Sequence, residues 1–331
     1  MRILCLSFLF LVSTFLTAQD TPTGGDLRDV QAKRLKLADQ LQEQGDEAGA
    51  LEVLEGLLNK DGENADLIRR VIGLQLRNDR VEAAVPLLKK LLELEKGQAP
   101  EYAAVGRLII ESGQVEAANS FLEEAAAKFP DSAEFPYLLT FSLAQAERWS
   151  DAIGQFEKTI ALAKDNPGLL NESFYFRFAS TYERAGQFDR AVPLIRKTLD
   201  LIEKNDSRGE NGEFKATVLN YVAYMWVERA ENLDEAGKFA REAAELDPGS
   251  GAIADTVGWW HFQKGEYPRA LVELKKAERL IEEPDPVILD HLGQTLAKLN
   301  EKDFAIDYFE RALELDPENA GIKERLEAVK K

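Results

Sequence analysis

The residues that most often carry metal or thiol chemistry are scarce in this chain. It contains two histidines, His261 and His291, and one cysteine, Cys5. A metal centre needs three or four converging ligands, and neither histidine has a Cys or acidic neighbour at a metal-binding spacing. We therefore predict a structural role for both histidines and no metal site.

Motifs for nucleophilic or phosphate chemistry are also missing. GxSxG, GxGxxG and a Gly-rich loop ending in GK[ST] do not occur in the sequence. Paired carboxylates are abundant, but in amphipathic helices they lie on solvated faces beside Lys or Arg at i,i+4. The sequence predicts no catalytic residue and no cofactor, and hence a protein that is not an enzyme.

The acidity of the chain limits its partners. Its 331 residues carry 41 Lys and Arg against 59 Asp and Glu, a formal net charge of −18. Such a chain repels nucleic-acid phosphates and anionic membranes unless it has a local basic stripe. With 45% hydrophobic residues it is too apolar to be disordered, and its length fits two domains or one long array. We predict that it does not bind nucleic acid.

The N-terminal segment has the pattern of an export signal. Arg2 precedes an apolar run from Ile3 to Leu16, and small residues up to Ala18 follow the run. The run is short for a bilayer span and has the length of a signal-peptide core. Residues 1–18 are therefore predicted to be a signal peptide, with an uncleaved N-terminal anchor as the alternative.

Export has consequences for the rest of the chain. Cleavage after Ala18 would remove Cys5, the lone cysteine, and leave a polar leader at 19–30. No second apolar run is long enough to span a membrane. We expect a bacterial protein that is periplasmic or extracellular, or associated with the cell envelope, with no membrane span after cleavage.

Steps of about 34 residues organise the remaining sequence. Alanines that follow each expected helix-to-helix turn are separated by 34, 34, 34, 39, 45, 34 and 35 residues; they are Ala50, Ala84, Ala118, Ala152, Ala191, Ala236, Ala270 and Ala305. A fixed period of this length is typical of stacked helical repeats. Glycines such as Gly113 and Gly265 precede the alanines at a fixed offset, where a helix must end in a left-handed residue.

These marks resemble the tetratricopeptide repeat, a helix–turn–helix unit of 34 residues. The third unit matches the family pattern with Tyr102, Gly106, Ala118, Ala125 and Pro130. The eighth unit matches it with Leu292, Gly293, Ala305, Phe309, Ala312 and Pro317. The first two units are degenerate, with Gly62 at an expected Pro and Ile72 at an expected Gly.

The resemblance implies an all-α fold, a right-handed α-solenoid of about eight units. The array is expected over 31–317, and the amphipathic stretch 318–331 is expected to be a capping helix. Two insertions, around 164–171 and 203–214, lengthen the fourth-to-fifth and fifth-to-sixth steps. We interpret them as a longer helix and a surface loop, with a specificity loop as the alternative.

In tetratricopeptide arrays the first helix of each unit lines a concave groove. The resemblance therefore implies that this groove binds a protein or peptide, and it places these aromatic residues there: Tyr137, Phe141, Phe176, Tyr224, Trp259 and Phe262. Aromatic residues are enriched at binding hot spots. The alternative is that several of them belong to the core between repeats.

A polar series accompanies the aromatic residues. Asn220, Asp255 and Asp290 occupy the same groove-facing position in three successive units. They are candidates for holding the backbone of an extended peptide, and the alternative is that they favour helix starts. The carboxylate clamp of some family members is not expected, because the matching positions are mostly Asn, Asp, Phe or Ala.

The sequence thus predicts a non-catalytic exported scaffold or adaptor that binds an unidentified protein or peptide segment in the groove. Two alternatives are an accessory subunit of an envelope enzyme, with a site near 203–214, and a self-assembling structural protein. The charged C-terminal stretch argues against end-to-end stacking, because an apolar end would be needed.

Overall fold

The computed structural model describes residues 25–164, 168–205 and 212–331, with side chains from residue 29 onward. These residues form seventeen α-helices and no strand. The helices are α1 (Gly25–Glu43), α2 (Glu47–Leu58), α3 (Ala65–Arg77), α4 (Val81–Leu94), α5 (Ala99–Glu111), α6 (Val115–Lys128), α7 (Glu134–Gln145), α8 (Trp149–Ala163), α9 (Glu172–Arg184), α10 (Phe188–Asn205), α11 (Gly212–Glu228), α12 (Leu233–Leu246), α13 (Gly251–Gln263), α14 (Tyr267–Leu280), α15 (Pro286–Lys298), α16 (Lys302–Leu315) and α17 (Ala320–Lys330).

The helices form eight successive hairpins, from α1–α2 to α15–α16, and α17 follows the last hairpin as a single helix. This arrangement confirms the predicted all-α class of helix–turn–helix units with a C-terminal capping helix. The first helix begins at Gly25, inside the stretch predicted as a leader. The predicted signal peptide lies outside the described residues, as do 165–167 and 206–211 within the two insertions.

The periodic alanines explain why the hairpins form. All eight alanines of the 34-residue series have no exposed surface. A side chain of this size lets the second helix lie close against the first, and anything larger would push the two apart. In the eighth unit Gly293 serves the same end on the first helix, because a Cβ there would lie 2.7 Å from the Phe309 ring.

The turns between paired helices use left-handed residues, as expected. Gly113 and Gly265 have φ values of +76° and +75°, a region that glycine enters without steric cost. Asp79 and Asn300 take the same role with φ values of +55° and +63°. Asp and Asn are among the residues that tolerate this conformation best.

The chain divides into two compact units, Met1–Asp165 and Asn166–Lys331. In the first unit, two apolar cores fill the space between helices α1 to α8. In the second unit, a continuous core runs from α13 to α17. Two smaller apolar clusters are formed mainly by residues of α11, α12 and α13. Ile322 and Leu326 on α17 are buried in the larger core.

No helix of the described part of the chain is both long enough and apolar enough to cross a lipid bilayer.

Gly237 offers a direct test of the close packing in the second unit. A Cβ at Gly237 would lie 2.1 Å from Cε2 of Trp260, whose Nε1 donates a hydrogen bond to the Leu233 carbonyl at 2.7 Å. We expect Gly237→Ala to lower the free energy of unfolding by about 1–3 kcal/mol, measured by urea denaturation followed by circular dichroism.

The matched control is Gly154→Ala, also within the second helix of a hairpin but with no heavy atom within 4 Å of the added Cβ. Alanine is the better helix former, so this variant should be as stable as the parent chain or about 1 kcal/mol more stable. Equal stability of the two variants would contradict the packing argument.

Candidate functional site

A cavity of about 340 Å³ opens in the second unit, between the first helices α11, α13 and α15 and the capping helix α17. The lining side chains on α11, α15 and α17 are adjacent or lie three or four residues apart, so one face of each of these helices points to the cavity. The walls combine aromatic, apolar and charged residues: Tyr224, Glu228, Trp259, Pro286, Val287, Asp290, His291, Gln294, Asp316, Asn319, Ile322 and Arg325.

A buried imidazole is the electrostatic centre of the cavity. The side chain of His291 is only 4% exposed. Its Nδ1 lies 2.9 Å from Oδ1 of Asp255, and its Nε2 lies 3.6 Å from Oε1 of Glu228. Burial opposes the imidazolium charge, but Asp255 and Glu228 together outweigh burial and raise the pKa of His291 to about 9. At neutral pH the ring is therefore a cation between two carboxylates.

Trp259 packs in a stack of three rings. Its indole lies 3.9 Å from the His291 ring and 4.2 Å from the Phe262 ring, with interplanar angles of 11° and 16°. Both faces of the indole are therefore covered, and only the ring edge is left to line the cavity. The indole Nε1 is buried without a hydrogen-bond partner in the described structure.

The capping helix supplies the cation that binds Asp290. Nε and an Nη atom of Arg325 donate hydrogen bonds to the two carboxylate oxygens of Asp290 at 2.9 and 2.6 Å. Gln294 donates a third at 2.9 Å. Such a two-pronged contact holds both side chains in a fixed orientation.

The predicted polar series thus has three different environments. Asp255 holds His291, Asp290 holds Arg325, and the Oδ1 atom of Asn220 is buried with no hydrogen-bond partner among the described residues. These are not equivalent groups free to hold a peptide backbone. The helix-start alternative is wrong as well, because Ser250 and Asp285 cap the two helices and Asp255 and Asp290 lie beyond the first turn.

The structure brings together only part of the predicted set of groove residues. Tyr224, Trp259 and Asp290 line the cavity, while Asp255 and Phe262 lie behind it in contact with His291 and Trp259. The hydroxyl of Tyr224 stays protonated, because burial and then the charge of Glu228 raise its pKa. It adds aromatic surface to the wall without adding charge.

The remaining predicted aromatic residues lie elsewhere. Tyr137 and Phe141 pack on each other in the first unit, with ring centroids 5.1 Å apart. Phe176 contacts Phe214 and Tyr221 in the second unit, at 5.7 and 5.3 Å. Within each unit these residues are partly buried contacts between side chains.

Sequence reasoning missed Glu228 and Arg325, and it gave His291 a structural role without its partners. Each meets its partner through the stacking of repeats: Asp255 precedes His291 by 36 residues, and Asp290 precedes Arg325 by 35. Opposite charges one repeat apart were the available signal. His261, the other histidine, contacts Glu266 at 2.7 Å in its own hairpin turn. Among the described residues no three His, Cys, Asp or Glu side chains are placed to hold a metal ion.

A series of helical hairpins with a cavity lined by their first helices is typical of helix–turn–helix repeat proteins. Tetratricopeptide repeat family models match residues 41–108, 176–209 and 291–319, in agreement with the motif residues of the sequence. These matches and the motif residues identify tetratricopeptide repeats in the chain.

Two curated relatives and one solved structure illustrate the similarity. The anaphase-promoting complex subunit CDC16 of Saccharomyces cerevisiae is 24% identical over 278 residues, which are 80% of this chain and 31% of the relative. The TPR repeat-containing protein PA4667 of Pseudomonas aeruginosa is 27% identical over 233 residues, 65% of this chain and 36% of the relative. The chain thus spans about a third of the length of these relatives.

The solved structure is that of the hetero-tetramer Cut9-Hcn1 of the anaphase-promoting complex. It is similar to this chain with a TM-score of 0.56 and 13% identity, covering 95% of this chain and 61% of the other. At this identity the similarity supports the fold.

The charge on His291 can be measured directly. We expect its imidazole to titrate near pH 9, because Asp255 and Glu228 stabilise the protonated form. Asp255→Asn should lower this pKa, since burial then opposes the charge with less compensation. The pKa is measured from the chemical shifts of the imidazole ring protons in NMR spectra recorded between pH 5 and 10. In a His261→Gln variant His291 is the one remaining histidine, so its signals can be assigned directly. Titration near 6.5 in the parent chain would contradict the network.

The same shift predicts how stability depends on pH. A histidine pKa raised from 6.5 to about 9 contributes its full stabilisation below pH 6.5 and loses it as the pH rises through about 9. The contribution is on the order of 3 kcal/mol. The urea midpoint should therefore fall between pH 6.5 and 9.5 in the parent chain and much less in Asp255→Asn.

Proposed function

We propose that this chain is an exported, non-catalytic scaffold or adaptor that binds a protein or peptide segment on the first helices of its repeats. The cavity formed by α11, α13, α15 and α17 carries the proposal, because aromatic and hydrogen-bonding side chains share one recess there. Tyr224 is the residue we assign as the aromatic contact, in place of Trp259, whose ring faces are covered.

The chemistry of the cavity supports binding rather than catalysis. A general base needs a pKa near the working pH. His291 is buried, and a pKa of about 9 keeps it protonated at neutral pH between two carboxylates. It has no free lone pair with which to accept a proton, so its role is to orient Asp255, Glu228 and Trp259.

One of the relatives is by its name a member of a protein assembly. CDC16 is by name a subunit of a multi-protein complex, and a scaffold role for this chain is of the same general kind. This chain corresponds to about a third of that relative, so the partner is inferred from the surface of this chain and not from CDC16.

Export is proposed from the N-terminal pattern of Arg2 and the following apolar run. We expect the protein recovered from a bacterial host to begin at Gln19, as measured by intact mass, and to contain no titratable thiol, since Cys5 leaves with the signal. Phe10→Lys interrupts the apolar run and should leave the chain uncut. A recovered parent chain that retains Met1 would favour the N-terminal anchor instead.

Binding through the cavity is tested by Tyr224→Ala. We expect crosslinked capture of an envelope partner to fall about tenfold, because an aromatic hot-spot side chain typically contributes more than 1 kcal/mol. Partner recovery after crosslinking in the source envelope fraction is the measurement, with helical content checked by circular dichroism.

The matched control is Phe304→Ala on α16, an aromatic residue that is 62% exposed and does not line the cavity. It should capture the partner as the parent chain does. If Tyr224→Ala captured the partner as well as the parent chain does, the cavity would not be the binding site.

A further inference from the structure

The cavity of the second unit has more negative than positive charge. Four carboxylates surround it, three in the lining and Asp255 behind His291, against two cations, His291 and Arg325. The whole chain has a formal net charge of −18, so the surroundings add to this potential. An anionic group entering the cavity would be repelled, and a cationic group would be attracted.

The two cations are already engaged by other carboxylates. Arg325 makes two hydrogen bonds to Asp290, and His291 makes its short contact with Asp255. Glu228 accepts a hydrogen bond from the Tyr224 hydroxyl, and its one cationic contact among the described residues is the 3.6 Å approach of His291 Nε2. Its side chain is 42% exposed, so the carboxylate is accessible and is not paired with a Lys or Arg of the described residues.

A second lining carboxylate has no cationic partner. Asp316 directly follows α16, and its carboxylate accepts a hydrogen bond from the side-chain amide of Asn319 at 2.9 Å. No Lys, Arg or His lies within ion-pair distance of Asp316 among the described residues. The negative charge that is not paired with a Lys or Arg of the described residues thus comes from two lining carboxylates, Glu228 on α11 and Asp316, which follows α16.

The remaining walls suit a cation with an apolar stem. Tyr224, neutral and half-buried, lines the recess beside Glu228, and aromatic rings attract ammonium and guanidinium groups. Val287, which is 44% exposed, and Ile322 provide apolar surface in the same recess. Lysine and arginine bury their methylene stems along such surface while the charged head meets a carboxylate.

The size of the cavity limits the occupant. A volume of about 340 Å³ is near the lower end of the ~300–1,000 Å³ typical of ligand pockets. It accommodates one long side chain and not a folded segment. We propose that this cavity binds the lysine or arginine side chain of a partner polypeptide, with Glu228 as the carboxylate that meets its charge.

This inference rests on the proposed protein-binding function and specifies the chemistry of the partner. It is tested with an array of nine-residue peptides that share randomised flanks and carry Lys, Arg, Met or Glu at the centre. Methionine has a stem of similar length without the charge. The full chain should bind Lys- and Arg-centred peptides about tenfold better than Met-centred ones, and Glu-centred ones least, with the preference falling as salt rises.

Glu228→Gln is the decisive variant, and it should abolish the preference for Lys and Arg over Met. Glu245→Gln is the matched control, because Glu245 is exposed on α12 in the same unit and outside the cavity. It removes the same charge and should keep the preference. The ring signals of His291 and Trp259 in NMR spectra should shift with Lys-centred peptides and not with Met-centred ones.

Four results would overturn the inference. The first is equal binding of Lys- and Met-centred peptides, and the second is a preference that persists in Glu228→Gln. The third is tighter binding of Glu-centred peptides, which would assign the cavity to an anion. The fourth uses spermidine as a free organic cation. Larger NMR shifts of the His291 ring with spermidine than with any peptide would assign the cavity to a small molecule and not to a partner side chain.

These results are separable from the test of the proposed function. If Tyr224→Ala loses an envelope partner while the array shows no preference for basic residues, the scaffold role stands and the basic side chain is excluded. If the array shows the preference and its dependence on Glu228 but no envelope partner is captured, the cavity chemistry stands and the exported scaffold role falls.

Discussion

The close approach of two helices within each hairpin is the constraint on which the rest of the molecule depends. Eight alanines with no exposed surface mark the contact, at steps close to 34 residues. Because neither helix can bury its apolar face alone, each hairpin must also pack on its neighbour within the same compact unit. Within each unit the first helices therefore follow one another, and side chains one repeat apart become neighbours.

That regular step is what permits buried charge in the second unit. Burying an ionised group is costly unless an opposite charge and hydrogen bonds compensate it. Asp255 meets His291 at 2.9 Å, and Arg325 meets Asp290 at 2.9 and 2.6 Å. Removing His291 or Arg325 would leave Asp255 or Asp290 buried without its cation, so these contacts hold α13, α15 and α17 in fixed relative positions.

The fold could be predicted from the sequence, while the site could be predicted only in part. Alanine spacing and turn residues are local marks, so the helix–turn–helix units and the capping helix followed from them. Tyr224 and Trp259 were found because aromatic residues stand out along a chain. The environments of these two residues were not predicted, since one ring that covers Trp259 and the charges that hold His291 and Asp290 come from residues 32 to 36 positions away in the neighbouring repeat. The environment of a polar residue at a given repeat position can therefore be predicted only together with the residue that packs against it from the next repeat.

The capping helix shows why the end of the array and the cavity are inseparable. Ile322 and Leu326 bury one face of α17 in the core of the last repeats. Arg325, between them in sequence, reaches Asp290, and Ile322 also lines the cavity. A substitution that loosens α17 would expose apolar core and at the same time release Asp290 from its cation. The same helix thus terminates the apolar stack and sets the charge of the recess beside it.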